Sequence, residues 1–538
     1  MKEKDLSHIK VTDYAGKLAR GFLYNPLTAL LAVFLLVLGY ISLEVMPREE
    51  DPQIAISGGS VIVVAPGMSP KQVEKVIVDP LEQKLREIKG VEHIYSMSME
   101  NVAVVNVMYY IGQNREISNL KLYDKVMQNM DKMPKSIMQP LVKPFDIDID
   151  IPIVTVAFWK DKDSKTPYIK FLETVQNIKK SVSQIENVSK TTLKGAHKEQ
   201  YNVEVDLAKL KGYHISLGQI MQGIQAIAKT APAVDAPTKE NKLVVFSVQN
   251  AIESVDDVKN LIIAQYMGSP IYLRDVATVS DGVDFQNKQS ALLTMKDKDK
   301  VTQNEQITFS VSKLAGSNAV FVSDDVKEML EKNKEMLDKL GIHYKITRDY
   351  GVRADDAVNE LVHHLVITIA IIAVMLIFFL GWKESLIVTF TVPAILAITL
   401  FVAYMTGQTI NRITLFAFLL SLGLLVDAAI IVIENIHRHL HDHDSEHKDM
   451  DTLLIKATDE IGRPTNIATL AIILTMVPMM FVGGMMGEFM KPIPLNVPVA
   501  LLASLIVAYI FTPYLSRKLL KREDDGSHHH ENSKKEGK

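Results

Sequence analysis

Six stretches of this sequence are long and apolar enough to cross a lipid bilayer. Five of them contain no Asp, Glu, Lys, Arg or His over 18 to 27 residues. The sixth, Ile413–Ile433, contains a single charged residue, Asp427. A membrane-spanning helix needs about 20 consecutive apolar residues. The chain is therefore predicted to cross a membrane six times, at residues 21–46, 358–382, 385–406, 411–436, 465–484 and 492–516.

These spans are unevenly placed along the 538 residues. One lies near the N-terminus and five follow residue 358, whereas residues 47–350 contain no candidate span. Lys and Arg in short loops stay on the cytoplasmic side of a membrane. They are concentrated in the first 20 residues, in the loop 437–463 and in the tail 517–538. Both termini are therefore predicted to be cytoplasmic, with residues 47–350 outside, in the periplasm of a Gram-negative cell.

The first span is predicted to remain as an anchor. Residues 1–20 have the pattern of an amphipathic cytoplasmic lead-in that lies on the membrane surface. A signal peptide would also begin with a basic region, but the uncharged run 21–43 is too long and no small-residue cleavage pattern follows it.

The composition excludes several classes of function. The chain has no cysteine, so neither a disulfide framework nor a thiolate metal site is available. Its formal net charge of -4 argues against a general nucleic-acid binder. No nucleotide-binding loop, catalytic triad or zinc-protease helix occurs, and we predict neither an enzyme nor a cofactor.

The segment outside the membrane has the pattern of a water-soluble α+β fold. Ile54–Ala65 is predicted to be a strand, and Ser69 begins a helix with a capping box. Two strands, Val91–Met97 and Val102–Ile111, and a helix at 117–132 follow. This βαββα order is typical of a ferredoxin-like sandwich, and the order partly recurs after residue 151. The predicted fold class is an α-helical membrane bundle of six transmembrane helices with a large periplasmic α+β region.

Asp427 is the residue that most needs a functional explanation. A carboxylate in the hydrocarbon core costs roughly 2.5 to 3.5 kcal/mol by insertion scales, so such residues usually face a bundle interior. One interpretation is a structural pair with a Lys or Thr on a neighbouring helix. The other is a proton relay that binds and releases H+ during transport.

Glu434 lies seven residues after Asp427, about two helical turns along the same predicted face. It is a possible secondary proton path at the cytoplasmic end of the helix. The alternative, which we favour, is a carboxylate at the membrane surface near Arg438.

The chain resembles the N-terminal half of a resistance-nodulation-division (RND) efflux permease from about residue 15 to residue 521. Five motifs carry this resemblance, and their combination is specific although each alone is weak. They are Met46–Ile54 after the first span, Ala65–Pro70 before the first helix outside the membrane, Leu273–Ala277, Gly423–Asn435 and Thr512–Pro513.

The resemblance implies a proton-driven antiporter of the bacterial inner membrane that works as a trimer. Such pumps commonly export their substrates through a periplasmic adaptor protein and an outer-membrane channel. The family pattern places porter subdomains in residues 47–350 and a docking subdomain at about 198–283. It also implies an arm at 230–241 that reaches into the adjacent protomer.

Two departures from the family pattern affect these expectations. Multidrug members usually carry two adjacent aspartates, whereas here Ala428 follows Asp427, as in the heavy-metal branch. The family has twelve spans from two homologous halves, and this sequence has six. The relay lysine and part of the substrate pocket are then expected on a second RND half, either encoded separately or cut away from this sequence.

Three hypotheses follow. The first is a half-length permease that exports hydrophobic or amphiphilic compounds with H+ as the coupling ion. The second is a Cu/Ag-type heavy-metal exporter, to which the many methionines around the fifth span would contribute, since thioethers suit Cu(I) and Ag(I). The third is a non-transporting membrane scaffold or sensor that lacks the second half.

Overall fold

The structure is a computed structural model. It describes residues 6, 9–54, 56–145, 147–161, 164–227, 234–237, 243–246, 252, 254–284, 290–297, 300–441 and 449–520. Of the predicted arm at 230–241, only residues 234–237 are among them. Residues 442–448 of the predicted cytoplasmic loop, and the tail beyond residue 520, also lie outside the described residues.

Two helices begin the described chain. They are α1 (Tyr14–Phe22) and α2 (Leu27–Val45). Pro26 occupies the cap position of α2, where the missing N–H of proline costs least.

Residues 58–144 form a first α+β sandwich. Its elements are β1 (Gly58–Val64), α3 (Pro70–Val73), α4 (Asp79–Leu85), β2 (Val91–Met99), β3 (Val102–Tyr109), α5 (Arg115–Gln128) and β4 (Leu141–Pro144). The antiparallel strand order β2-β3-β1-β4 is ferredoxin-like. The inward side chains of β1 and β3 pack against the helices. The fourth strand has only four residues, too few for an alternating pattern to indicate it.

A second sandwich begins immediately afterwards. Its first elements are α6 (Ile147–Asp150), β5 (Val154–Lys160), α7 (Tyr168–Val182) and β6 (Val188–Lys194). An insertion then interrupts this sandwich.

The insertion occupies residues 199–283. Its elements are β7 (Glu199–Val205), α8 (Leu207–Tyr213), α9 (Leu217–Ile227), β8 (Val234–Pro237), β9 (Leu243–Phe246), α10 (Val255–Lys259), β10 (Ile262–Tyr266), β11 (Ser269–Tyr272), α11 (Leu273–Val276) and β12 (Ala277–Val283). The strands pair as β7 with β12, β8 with β9 and β10 with β11. The insertion has its own apolar core, which includes Leu210, Leu273 and Val276.

The second sandwich is completed after the insertion. Its remaining elements are β13 (Ala291–Asp297), β14 (Lys300–Lys313), α12 (Ala319–Lys339) and β15 (Ile342–Asp349). The sheet contains the strand sequence β6-β14-β5-β15, and β13 forms a hairpin with the first half of β14. This repeats the topology of the first sandwich, with the insertion between the second and third strands of the repeat.

Five more membrane-length helices follow. The helices in this part of the chain are α13 (Tyr350–Phe379), α14 (Trp382–Met405), α15 (Arg412–Leu440), α16 (Met450–Met476), α17 (Gly484–Met490) and α18 (Pro492–Leu519). With α2, six helical segments among the described residues are long and apolar enough to cross a membrane. In this count, α16 includes the 3-10 turn that follows it, and α17 and α18 form one segment.

Two helices extend well beyond the predicted spans. α13 begins at Tyr350, not at 358, because the Asp349 side chain accepts a hydrogen bond from the Val352 amide at 3.1 Å and caps the helix outside the apolar run. α16 begins at Met450, not at 465, because its polar first half packs against the rest of the bundle through Leu453, Leu454 and Ala457.

The N-terminal helix is fixed to the same end of the bundle. Asp459 of α16 accepts hydrogen bonds from the backbone amides of Thr12 and Asp13 at 2.9 and 2.8 Å, which caps α1 from another helix. The buried Asp451 accepts hydrogen bonds from the Tyr24 hydroxyl at 2.6 Å and from Arg517 Nε at 3.0 Å. Residues 12–24 are therefore attached to the membrane-length helices by hydrogen bonds at both ends of α1.

We expect the contact between α2 and α14 to depend on a glycine. A Cβ added at Gly39 would clash with the Cβ of Ala397. Gly39→Val should therefore destabilise the bundle by about 1–3 kcal/mol through overpacking, measured as a lower melting temperature of the purified protein. Gly21→Ala is the control, because a Cβ there would meet open space. Equal melting temperatures for the two variants would contradict this packing.

Candidate functional site

Helix α15 begins with a capping box. The Asn411 side chain accepts hydrogen bonds from the amides of Ile413 and Thr414, both at 3.0 Å. The Thr414 hydroxyl oxygen accepts a hydrogen bond from the Asn411 amide at 2.8 Å. These bonds satisfy amides that the first helical turn leaves free. They fix the residue at which the helix begins.

One side of α15 is exposed along its whole length. The opposite side packs against α14, α16 and α18. The exposed residues recur every three or four positions, as expected for one side of a helix. We call them the α15 stripe: Arg412, Phe416, Leu420, Gly423, Asp427, Ile431, Glu434 and Arg438.

Asp427 lies in the middle of the α15 stripe, between Gly423 and Ile431. Its carboxylate has no ion pair or hydrogen bond with any residue that the structure describes. One interpretation of the sequence is a structural pair of Asp427 with a Lys or Thr. No such pair occurs among the residues that the structure describes. The carboxylate points away from the bundle of its own chain.

Glu434 lies on the same stripe, two turns closer to the end of the helix. Arg438 does not pair with it and instead contacts Glu460 of α16 at 3.2 Å. His439 also lies 2.7 Å from Glu460, and His437 lies 3.1 Å from the buried Glu384 of α14. The end of α15 is therefore held to α14 and α16 by polar contacts, and Asp427 and Glu434 take no part in them.

Comparison with known proteins agrees with this architecture. A statistical family model described as the AcrB/AcrD/AcrF family matches residues 18–536. The chain belongs to this family. It is an RND-type efflux permease, and AcrB/AcrD/AcrF members are transporters and not enzymes. Together with the six membrane-length helices, this makes the chain a membrane transporter.

Within this AcrB/AcrD/AcrF-family chain, the second sandwich contains a cavity of about 460 Å³. Its lining mixes charged groups, among them Lys160, Asp161 and Glu305, with the rings of Tyr168 and Phe171. Burial raises the pKa of Tyr168, and its hydroxyl oxygen accepts a hydrogen bond from the His197 amide at 3.0 Å. The cavity is chemically suited to a molecule with both polar and apolar parts.

A second cavity of about 210 Å³ lies between the membrane-length helices. Side chains of α2, α13, α14 and α15 form it, and they include Tyr40, Val362, Pro393 and Phe418. Its lining is almost entirely apolar, so it suits a hydrophobic molecule.

Sequence reasoning placed Asp427 and Glu434 on one face, and it missed a second group of polar residues. Glu49 and Lys313 form a buried ion pair although they are 264 positions apart. The Met46–Ile54 motif marked the neighbourhood of Glu49, but no local pattern indicated its partner.

We expect the α15 stripe to tolerate added volume in the purified chain. A Cβ at Gly423 would meet nothing within 4 Å, so Gly423→Leu should not lower the melting temperature. Ala429→Leu is the control on the opposite, fully buried side of the helix and should destabilise the chain by about 1–3 kcal/mol. A lower melting temperature for Gly423→Leu would show that the stripe is packed against this same chain.

Proposed function

We propose that this chain is a proton-driven efflux permease of the bacterial inner membrane and that Asp427 binds the coupling proton. The exported compounds are hydrophobic or amphiphilic. The observation that supports this proposal is a carboxylate in the middle of an apolar, membrane-length helix, on the side that the described residues of its own chain leave uncovered.

The uncovered side of α15 has to meet something other than lipid. An ionised carboxylate in hydrocarbon is costly, and intramembrane carboxylates face protein or water. A second copy of this chain, related by twofold symmetry, would bring the same stripe against itself. The carboxylates of Asp427 and Glu434 in one copy would then face the same carboxylates in the other copy. Like charges at short distance disfavour ionisation of both groups.

We infer that a protein segment with a cation covers the α15 stripe. A second RND half with a Lys or Arg at the depth of Asp427 meets this requirement. A carboxyl group in an apolar site favours its neutral form, and a cation brought close favours the carboxylate. A cation that approaches and withdraws would thus make Asp427 release and bind a proton.

The energy available from this cycle is sufficient to drive a conformational change. Moving one elementary charge through a membrane potential of 100 mV is worth roughly 2.3 kcal/mol. This exceeds the 1.4 kcal/mol that changes an equilibrium by about tenfold.

The two cavities support the proposed substrate class. The apolar cavity among the membrane-length helices suits compounds that partition into the bilayer, and the mixed lining in the second sandwich suits amphiphiles. In this proposal the two sandwiches are periplasmic porter subdomains and the insertion is the docking subdomain. A homotrimer, a periplasmic adaptor and an outer-membrane channel complete the pump.

Asp427→Asn is the test of this function. We expect the variant to lose energised export of a lipophilic dye in cells, because Asn has the shape of the protonated acid but cannot release a proton. Glu434→Gln, on the same stripe, is the matched control and should keep most of the export.

Three outcomes would contradict the proposal. Normal dye export by Asp427→Asn would exclude Asp427 as the coupling residue. A deletion strain that becomes sensitive to silver or copper salts but not to dyes would identify a metal exporter. A deletion strain with neither sensitivity would identify a scaffold or sensor.

A further inference from the structure

The segment that follows α2 connects the membrane-length helices with the second sandwich. On one side, the Glu49 amide donates to the Ile410 carbonyl at 2.9 Å, and the Ile410 amide donates to the Pro47 carbonyl at 2.8 Å. On the other side, the Ala319 amide at the start of α12 donates to the Arg48 carbonyl at 2.9 Å. Three distant parts of the chain thus meet along the three residues 47–49.

A buried ion pair lies at the centre of this contact. Glu49 and Lys313 leave only 5% and 7% of their side chains exposed, and their charged groups are in direct contact. The other carboxylate oxygen of Glu49 accepts a hydrogen bond from the Thr409 hydroxyl at 2.9 Å, and Gln53 donates to Glu49 at 3.0 Å. We call Glu49, Gln53, Lys313 and Thr409 the ionic junction.

The ionic junction joins elements that the proposed transport cycle requires to move. Thr409 lies two residues before the capping residue of α15, and Lys313 is the last residue of β14. Each ion pair around it has at least one exposed partner, such as Arg412 with Asp51 and Arg48 with Asp355, both at 2.7 Å. Such pairs contribute little by themselves, so the buried pair is the main ionic link.

We propose that the ionic junction is a rigid coupler, through which the outer end of the α14–α15 pair and the second sandwich move as one body. Glu49 and Lys313 are then positioning residues for export. This inference rests on the proposed function, because it concerns how a change at Asp427 reaches the α+β region.

The physical reason for rigidity is the cost of opening the pair. Separating the two groups would leave an uncompensated charge in a buried site, which is strongly unfavourable. Both carboxylate oxygens of Glu49 already have partners, and water has little access to replace them. A closed junction is therefore expected throughout the cycle.

A second attachment also holds the second sandwich to the membrane-length helices. Asp349 joins the last strand of the second sandwich to α13, accepting hydrogen bonds from Ser323 at 2.6 Å and from the Val352 amide at 3.1 Å, with Lys327 at 2.8 Å. Partial burial alone would raise the pKa of Asp349, but these donors hold it below its usual range. The second sandwich is thus held to the membrane-length helices at two points, whereas residues 52–57 lead from the junction to the first sandwich.

Spin-label distances in the assembled pump test the proposal. The chain has no cysteine, so two double-cysteine variants can be labelled selectively at exposed positions, one at Lys332 of α12 and Met405 of α14 and the other at Leu120 of α5 and Met405. Dilution with unlabelled protein leaves one labelled chain in each assembly. Between the parent and Asp427→Asn, we expect the Lys332–Met405 distance to stay the same and the Leu120–Met405 distance to shift.

Replacing one partner of the buried Glu49–Lys313 pair should loosen the contact between the second sandwich and α14. Lys313→Met should broaden the Lys332–Met405 distance distribution and lower dye export at least about tenfold. Arg353→Gln, which removes the contact of an exposed α13 arginine with Glu50 beside the junction at 3.4 Å, is the control and should do neither. If Arg353→Gln has the same effect, the assignment to the buried pair is wrong.

The other outcomes of the spin-label experiment also test the rigid coupler. A Lys332–Met405 distance that changes between the parent and Asp427→Asn would overturn the rigid coupler, as would a pair of distances that both stay constant. This comparison leaves Glu49 and Lys313 intact, so it holds even if Lys313→Met does not fold. Normal export by Asp427→Asn would instead refute the proposed function, which keeps the two failures distinct.

Discussion

The cost of placing a carboxylate in hydrocarbon governs the organisation of this protein. Asp427 lies in a helix that is otherwise apolar over membrane length, and the side of α15 that carries it is the one that α14, α16 and α18 leave open. The packed side of the helix is rich in small and aliphatic residues, so its rotation is fixed by its neighbours. In the proposed pump, the open side of a membrane-embedded α15 therefore has to face protein or water, and the proposal assigns a partner to it.

The α+β region repeats one topology twice, and the two copies are attached differently. The second sandwich is held to the membrane-length helices by the Glu49–Lys313 pair and by the Asp349 cap of α13. The first sandwich follows these contacts through residues 52–57. Because the two sandwiches are attached differently, the second can move together with the membrane-length helices. The first can change its position relative to them.

Much of this architecture could be predicted because it depends on local properties of the chain. A run of apolar residues, an Asn or Ser cap and alternation in a strand all act over a few residues. The boundaries of α13 and α16 were less predictable, because polar residues extend both helices beyond the apolar runs. The fourth strand of the first sandwich was missed, because its four residues form a strand only through pairing with β1.

The sequence by itself determined six apolar runs of membrane-spanning length, a lone acid in the fourth of them and a βαββα order after the first, since hydrophobicity and periodicity act locally along the chain. Tertiary structure alone decided that Asp427 faces outward and that Glu49 meets Lys313. The first depends on which side of α15 its neighbours cover. The second joins residues 264 positions apart, and only the folded backbone brings such groups into contact.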